Sequence, residues 1–139
     1  DHYWYTGKQE IFLNETKKKA ELILAWQDQS CPENVQSLIE LVQDVEKHRK
    51  PSAPIVVIAG NYISSSFRHK NWNIFSAGIG RTGCFIGLSN GIEQLNSEHE
   101  IDVVRIICNL RRDRGGMIQT HDQYQFLYLA LSEYARTLT

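Results

Sequence analysis

No apolar run in this sequence approaches the roughly 20 residues that cross a bilayer, and no signal peptide opens the chain. Direct membrane contact is therefore not expected. Cysteine is sparse: Cys31, Cys84 and Cys108 form no CxxC and no Cys/His cluster at metal-ligand spacing. That excludes a disulfide framework and a structural zinc site. It leaves no metal or cofactor to expect and makes a reduced, cytosolic setting the default. An excess of one charge sign is missing too. The formal net charge is -1, so nothing steers the chain toward nucleic acid or an anionic lipid surface. The Lys17-Lys18-Lys19 run reads as a solvated face. There are no internal repeats. What remains, 42% hydrophobic and 22% charged residues in 139, fits one globular domain.

Residues 2–6 are aromatic and read as a strand. Residues 10–24 fit either a helix or a disordered insert. Residues 26–32 form a polar loop closed by Pro32. Over 34–49, Val35, Leu38, Ile39, Leu41, Val42 and Val45 recur at helical spacing, and Pro51 and Pro54 stop the helix. Ile55-Val56-Val57-Ile58 reads as a short buried strand. Residues 60–75 read as loop. Three more helices are predicted. One covers 81–95 with Cys84, Phe85, Ile86 and Leu88 inside it. The next covers 102–112 with a stripe of Val103, Val104, Ile106, Ile107 and Leu110. The last covers 120–138 with Tyr124, Phe126, Leu127, Leu129, Leu131 and Tyr134. Gly115-Gly116 makes a turn between the last two.

The stretch Ser76-Ala77-Gly78-Ile79-Gly80-Arg81-Thr82-Gly83 runs from loop into helix. Small residues let successive backbone N–H groups converge into a nest for an anion. The following helix adds the positive end of its dipole at the same point. Arg81 at the helix start can hold two phosphate oxygens at once. Glycines alone fit a tight turn capping a helix as well, so the neighbouring motifs decide.

Residues 76–86 resemble the signature loop of the tyrosine-specific protein tyrosine phosphatases, whose form is His-Cys-Ser-Ala-Gly-x-Gly-Arg-Thr-Gly. Further likenesses follow in order. His2-Tyr3-Trp4-Tyr5-Thr6 and Trp26-Gln27-Asp28 resemble the strand and mobile acid loop. Ala53-Pro54-Ile55-Val56-Val57 resembles the strand feeding the signature loop. Arg112-Asp113-Arg114-Gly115-Gly116-Met117 and Gln119-Thr120-His121-Asp122-Gln123-Tyr124 resemble the glutamine-bearing loop. The flavour is that of the kinase-interaction-motif subfamily, the haematopoietic and striatum-enriched phosphatases. The resemblance implies an α/β fold, a twisted, mixed, mostly parallel central sheet flanked by helices. Residues 1–139 would be the C-terminal half of that domain, starting mid-domain. Its strands would keep an open edge, and poor solubility is expected for the chain alone.

The chemistry that the resemblance implies is dephosphorylation of phosphotyrosine in proteins. A cysteine thiolate of lowered pKa attacks phosphorus, and the loop arginine stabilises the equatorial oxygens. An aspartate protonates the leaving phenolate and later takes a proton from water. Carried over by position, Arg81 is the phosphate clamp, with Ser76, Ala77, Gly78, Ile79 and Gly80 lining the cradle. Asp28 is the general acid, Thr82 the hydroxyl that bonds the thiolate, and Gln119 and Gln123 the pair that positions water. The implied partners are a phosphotyrosine protein substrate and a MAP kinase. The implied location is the cytoplasm, or the cytosolic part of a receptor-type protein.

Two departures stand out. Gln27 replaces a proline, which loosens the acid loop. More seriously, Phe75 stands where the family has its nucleophilic cysteine, and a phenyl ring can neither ionise nor attack phosphorus. Cys84 lies inside the helix and matches a core cysteine of the family. The chain as written is therefore expected to be inactive. A pseudophosphatase that binds phosphotyrosine or a MAP kinase without hydrolysis is the alternative.

The non-matching segments, 7–24 and 58–75, read as insertions. Both fit translated introns. Without 7–24 the chain reads His-Tyr-Trp-Tyr-Thr-Ala-Trp-Gln-Asp, the family spacing. Val57-Ile58-Ala59-Gly60-Asn61 can be encoded GTC ATT GCA GGT AAC, which shifted by one base contains CAT TGC AG, for His, Cys and the start of Ser, before a splice donor. An acceptor ending at Ser76 would complete His-Cys-Ser-Ala-Gly if one base is lost upstream.

Overall fold

The computed structural model describes residue 26, residues 31–49, residues 55 and 57, and residues 78–139. The predicted strand at 2–6, the segments 7–24 and 58–75, Asp28, Phe75, Ser76 and Ala77 lie outside the described residues. Four helices follow one another: α1 (Val35–His48), α2 (Arg81–Glu98), α3 (Val103–Asp113) and α4 (His121–Arg136). No strand occurs among the described residues, so the expected sheet rests on the others. Of the strand expected at 55–58, Ile55 and Val57 are described. Ile55 is 40% exposed, which corrects the expectation that it is buried.

Three of the helices start on a side-chain cap. Asn34 accepts from the Ser37 N–H at 3.2 Å, and Asp102 from the Arg105 N–H at 2.9 Å. Thr120 and Gln123 form a reciprocal capping box. Each satisfies N–H groups that the helix itself leaves orphaned. α2 differs, because Gly80 at its N-cap offers no side chain. α2 also runs to Glu98, three residues beyond the predicted end. Its last turn is polar and carries no hydrophobic period, so backbone and Ser97–Glu93 hydrogen bonds carry it on until His99 turns left-handed at φ 58.

α2 is the hub and packs against all three other helices, while α1 also packs against α4. Leu38 and Val42 of α1, Cys84 and Leu88 of α2, and Leu127 and Ala130 of α4 are completely buried. Two polar bonds tie the helices: Ser89 Oγ donates to Glu46 Oε1 at 3.2 Å, and the Tyr134 hydroxyl donates to Asn96 Oδ1 at 2.9 Å. The predicted stripes were too wide. Val104 is 57% and Leu129 54% exposed, and Tyr124 is also exposed. The buried sets are Val103, Ile106, Ile107, Leu110 and Gln123, Phe126, Leu127, Ala130, Leu131, Tyr134. At about 100° per residue these share one face, whereas Val104 and Leu129 are turned off it.

Gly83, Gly87 and Gly91 recur every four residues along α2 and open one face to close contact. A Cβ on Gly83 would stand 2.6 Å from the backbone nitrogen of Ile118, and one on Gly91 would collide with the Leu131 side-chain tip. Backbone cannot yield, but a leucine tip can rotate. Gly83→Ala should therefore lower stability by about 2 kcal/mol. Gly91→Ala should cost less, since the Leu131 tip can move aside while both variants recover helix propensity alike. Urea midpoints of the two variants test that order; equal midpoints would contradict it.

Candidate active site

The end of the glycine-rich stretch lies against the segment between α3 and α4. Gly78 has φ +65, and the Arg114 guanidinium lies over it, 3.6 Å from where a Cβ would be. The Ile79 carbonyl accepts from the Ile118 N–H at 2.9 Å. At Gly80 a Cβ would meet Gln123 Nε2 at 2.9 Å and Gln119 Oε1 at 3.2 Å. Both predicted glutamines are thus brought to the start of α2, and only a glycine leaves them that space.

Arg81 is the first residue of α2, as its sequence position predicted. Its Nη1 donates to the Trp26 carbonyl at 2.8 Å. Trp26 is 8% exposed, so a residue 55 positions away is anchored directly on the phosphate-clamp candidate. The next residue, Thr82, is buried, and its hydroxyl makes no hydrogen bond among the described residues. No acidic residue occupies the first turn of α2, so the positive end of its dipole is unopposed there by a carboxylate of its own helix.

The two glutamines differ in setting. Gln123 is completely buried, and its Oε1 accepts from the N–H groups of Gln119 at 2.9 Å and Thr120 at 3.3 Å. It is no solvent-facing amide; its oxygen shapes the backbone that carries Gln119. Gln119 is itself exposed. Two residues escaped sequence reasoning. Ile118 is left-handed at φ 60, and Arg111 donates from Nε to the Met117 carbonyl and from Nη2 to the Ile118 carbonyl, each at 2.9 Å. Nothing in a basic residue near a helix end distinguishes such a clamp from a solvated charge.

Cys84 is no substitute nucleophile. It is completely buried, with its Sγ 4.0 Å from the Gln123 carbonyl. Burial first, then the Cys31 thiol, push its pKa up to about 12. Burial and then the Asp122 carboxylate push Cys31 up as well. Among the described residues no cluster of three His, Cys, Asp or Glu could hold a metal, and no helix is long and apolar enough to cross a membrane. A shallow groove lined by Glu33, Val35, Leu129, Glu133 and Arg136 lies at the far end of α4 from Gln123. It mixes charges, and its Ser132 hydroxyl donates to the Tyr128 carbonyl at 2.9 Å.

A glycine-rich stretch entering a helix without a side-chain cap, an arginine at its first residue and a glutamine-bearing segment across from it meet at one end of α2. The protein-tyrosine phosphatase family model matches residues 7–133, and the chain belongs to that family. It is 42% identical to tyrosine-protein phosphatase non-receptor type 7 of Homo sapiens, over 96% of this chain and 34% of that protein. It is 38% identical to receptor-type tyrosine-protein phosphatase R of Homo sapiens, over 99% of this chain and 16% of that one. For tyrosine-protein phosphatase non-receptor type 5 of Rattus norvegicus the identity is 37%, over 99% and 29%. These are relatives that the subfamily resemblance anticipated. The chain spans about a third or less of their length.

The cysteines supply a prediction with a defined sign. Burial favours the neutral thiol, so folded Cys84 holds its proton more tightly than the unfolded chain does. Its stabilisation is complete below the ordinary value of 9.0 and is lost as pH rises toward about 12. Stability should fall in that window, and less steeply in Cys84→Ala. In iodoacetamide labelling of the native chain near pH 8, exposed Cys108 should react first and Cys84 not at all. Early modification of Cys84 would show a thiolate and a different site.

Proposed function

We propose that the chain carries part of a tyrosine-phosphatase site for phosphotyrosine proteins and that, as written, it does not turn substrate over. The observation that carries this reading is the start of α2, where uncapped backbone, Arg81 and the buried Thr82 hydroxyl meet across from Gln119 and Gln123. Residues 76–81 cradle the phosphoryl group, and Arg81 holds its equatorial oxygens. Asp28, next door but one to the Trp26 carbonyl that Arg81 grips, is the general acid. In the reading of the chain as an intact enzyme, a thiolate hydrogen-bonded by Thr82 forms the cysteinyl phosphate, and water placed by Gln119 resolves it. Phe75 cannot take that part, and the buried, high-pKa Cys84 cannot replace it. The protein works in the cytoplasm, or as the cytosolic part of a receptor-type protein, with a MAP kinase as a further partner.

Residues 7–24 and 58–75 are insertions in this reading, and the second separates position 75 in the sequence from the strand-like stretch at 53–57 that would hold a nucleophile. Turnover of a phosphotyrosine peptide is expected to be absent in the unmodified chain and in Phe75→Cys alike. Turnover by the unmodified chain would overturn the proposal, and turnover gained by Phe75→Cys would show that the insertion is tolerated. In the transcript, residues 7–24 and 58–75 should be missing and the codons before Ser76 should read His-Cys. A spliced message that keeps both segments would refute the intron reading. The second reading, binding without hydrolysis, draws on the cradle residues that persist at Gly78–Thr82. Tight capture of a phosphotyrosine peptide by the unmodified chain would favour it.

A further inference from the structure

Ile118 holds a left-handed backbone that a β-branched residue adopts only under constraint, at about 1–3 kcal/mol. It is 1% exposed, so neighbouring groups and not solvent hold it there. Three of them surround it. Gly83 leaves room for its backbone nitrogen. The Ile79 carbonyl accepts its N–H at 2.9 Å. Arg111 binds the carbonyls on either side of its Cα, those of Met117 and Ile118, at 2.9 Å each. A planar guanidinium donating in parallel to two carbonyls fixes both peptide planes at once.

That fixation reaches the phosphate loop through covalent geometry. In a trans peptide the carbonyl and the following N–H point to opposite sides. The Ile79 carbonyl and the Gly80 N–H belong to one such plane. Turning that carbonyl toward Ile118 therefore aims the Gly80 N–H away from Ile118, leaving it free to join the anion nest. We propose that Arg111 is a positioning residue for the phosphate loop: through the Met117 and Ile118 carbonyls it holds the Ile118 N–H on Ile79, and so orients the Gly80 amide toward a tetrahedral oxyanion. This inference rests on the phosphate-site reading given above. Arg111 acts through backbone geometry, and its charge is incidental to the role. The same two carbonyls immediately precede Gln119, so the clamp also sets where that carboxamide begins.

The test uses the whole chain, tungstate as the probe and the variants Arg111→Met and Arg111→Lys. Amide exchange followed by NMR reads the clamp, and titration reads the cradle. In both variants the Ile118 N–H should exchange about fivefold faster or more, the worth of roughly one net hydrogen bond. Tungstate affinity should fall by a similar factor in Arg111→Met. It should also fall in Arg111→Lys, which keeps the charge but cannot span both carbonyls. Protection at Leu88 and Leu127 should persist in both; its loss would replace the positioning role with a purely structural one. Full tungstate affinity in Arg111→Lys with loss in Arg111→Met would make the effect one of charge and overturn the inference. So would unchanged exchange at Ile118, or unchanged tungstate binding in Arg111→Met. Failure of the unmodified chain to bind tungstate would instead overturn the phosphate-site reading beneath it.

Discussion

Two stretches of backbone meet where α2 has no side chain. At Gly83 the helix lets the nitrogen of Ile118 come closer than any Cβ would allow, and much of the described structure is organised around that approach. Ile118 sends its side chain toward Gly83 and Gly87, beside Leu127 and Leu110, so α2, α3 and α4 share one core at this point. Its N–H is spent on the Ile79 carbonyl and its own carbonyl on Arg111. A single residue in an unfavourable conformation thus joins the packing of the helices to the geometry of the site. The surrounding contacts sustain that strain because loss of any of them would also uncover buried surface.

The electrostatic character of the site follows from an omission. α1, α3 and α4 each spend a side chain on their first N–H groups, and α2 does not. A helix capped by a side chain has one of its orphan first-turn donors already claimed. At α2 the glycine N-cap leaves them unclaimed by a cap, with Arg81 alongside and no first-turn carboxylate to oppose an anion. Arg81 also grips the Trp26 carbonyl, so the group that would hold phosphate is bonded to the segment leading to Asp28. Cys84 shows the contrary case. It sits within the same helix, but burial without a cation keeps it protonated, and a neutral thiol attacks nothing.

α1, α3 and α4 were legible because each has an apolar period of about 3.6 and a recognisable capping residue or stop, whereas α2 was placed by its glycine-rich entry and the apolar residues inside it. Their limits were off where those signals end, as in the polar last turn of α2. The stripes were too generous at Val104 and Leu129, where an apolar residue lies beside the buried face rather than on it. The roles of Arg81, Thr82, Gln119 and Gln123 were reached through resemblance to a family motif. That resemblance distinguished neither the buried capping oxygen of Gln123 from the exposed amide of Gln119, nor the Arg111 clamp from an ordinary surface charge.

The linear order of residues by itself determined the helices, the family and the lack of a thiol at position 75, since each is a property of local pattern or residue identity. Only the tertiary structure decided that Gly83 must be a glycine, that Ile118 is left-handed and that Arg111 reaches the carbonyls beside it. It alone decided that Arg81 bonds to Trp26. The reason is physical: these facts depend on the distance between segments far apart in the chain or on a backbone angle imposed by packing. Neither quantity leaves a mark on the neighbours in sequence.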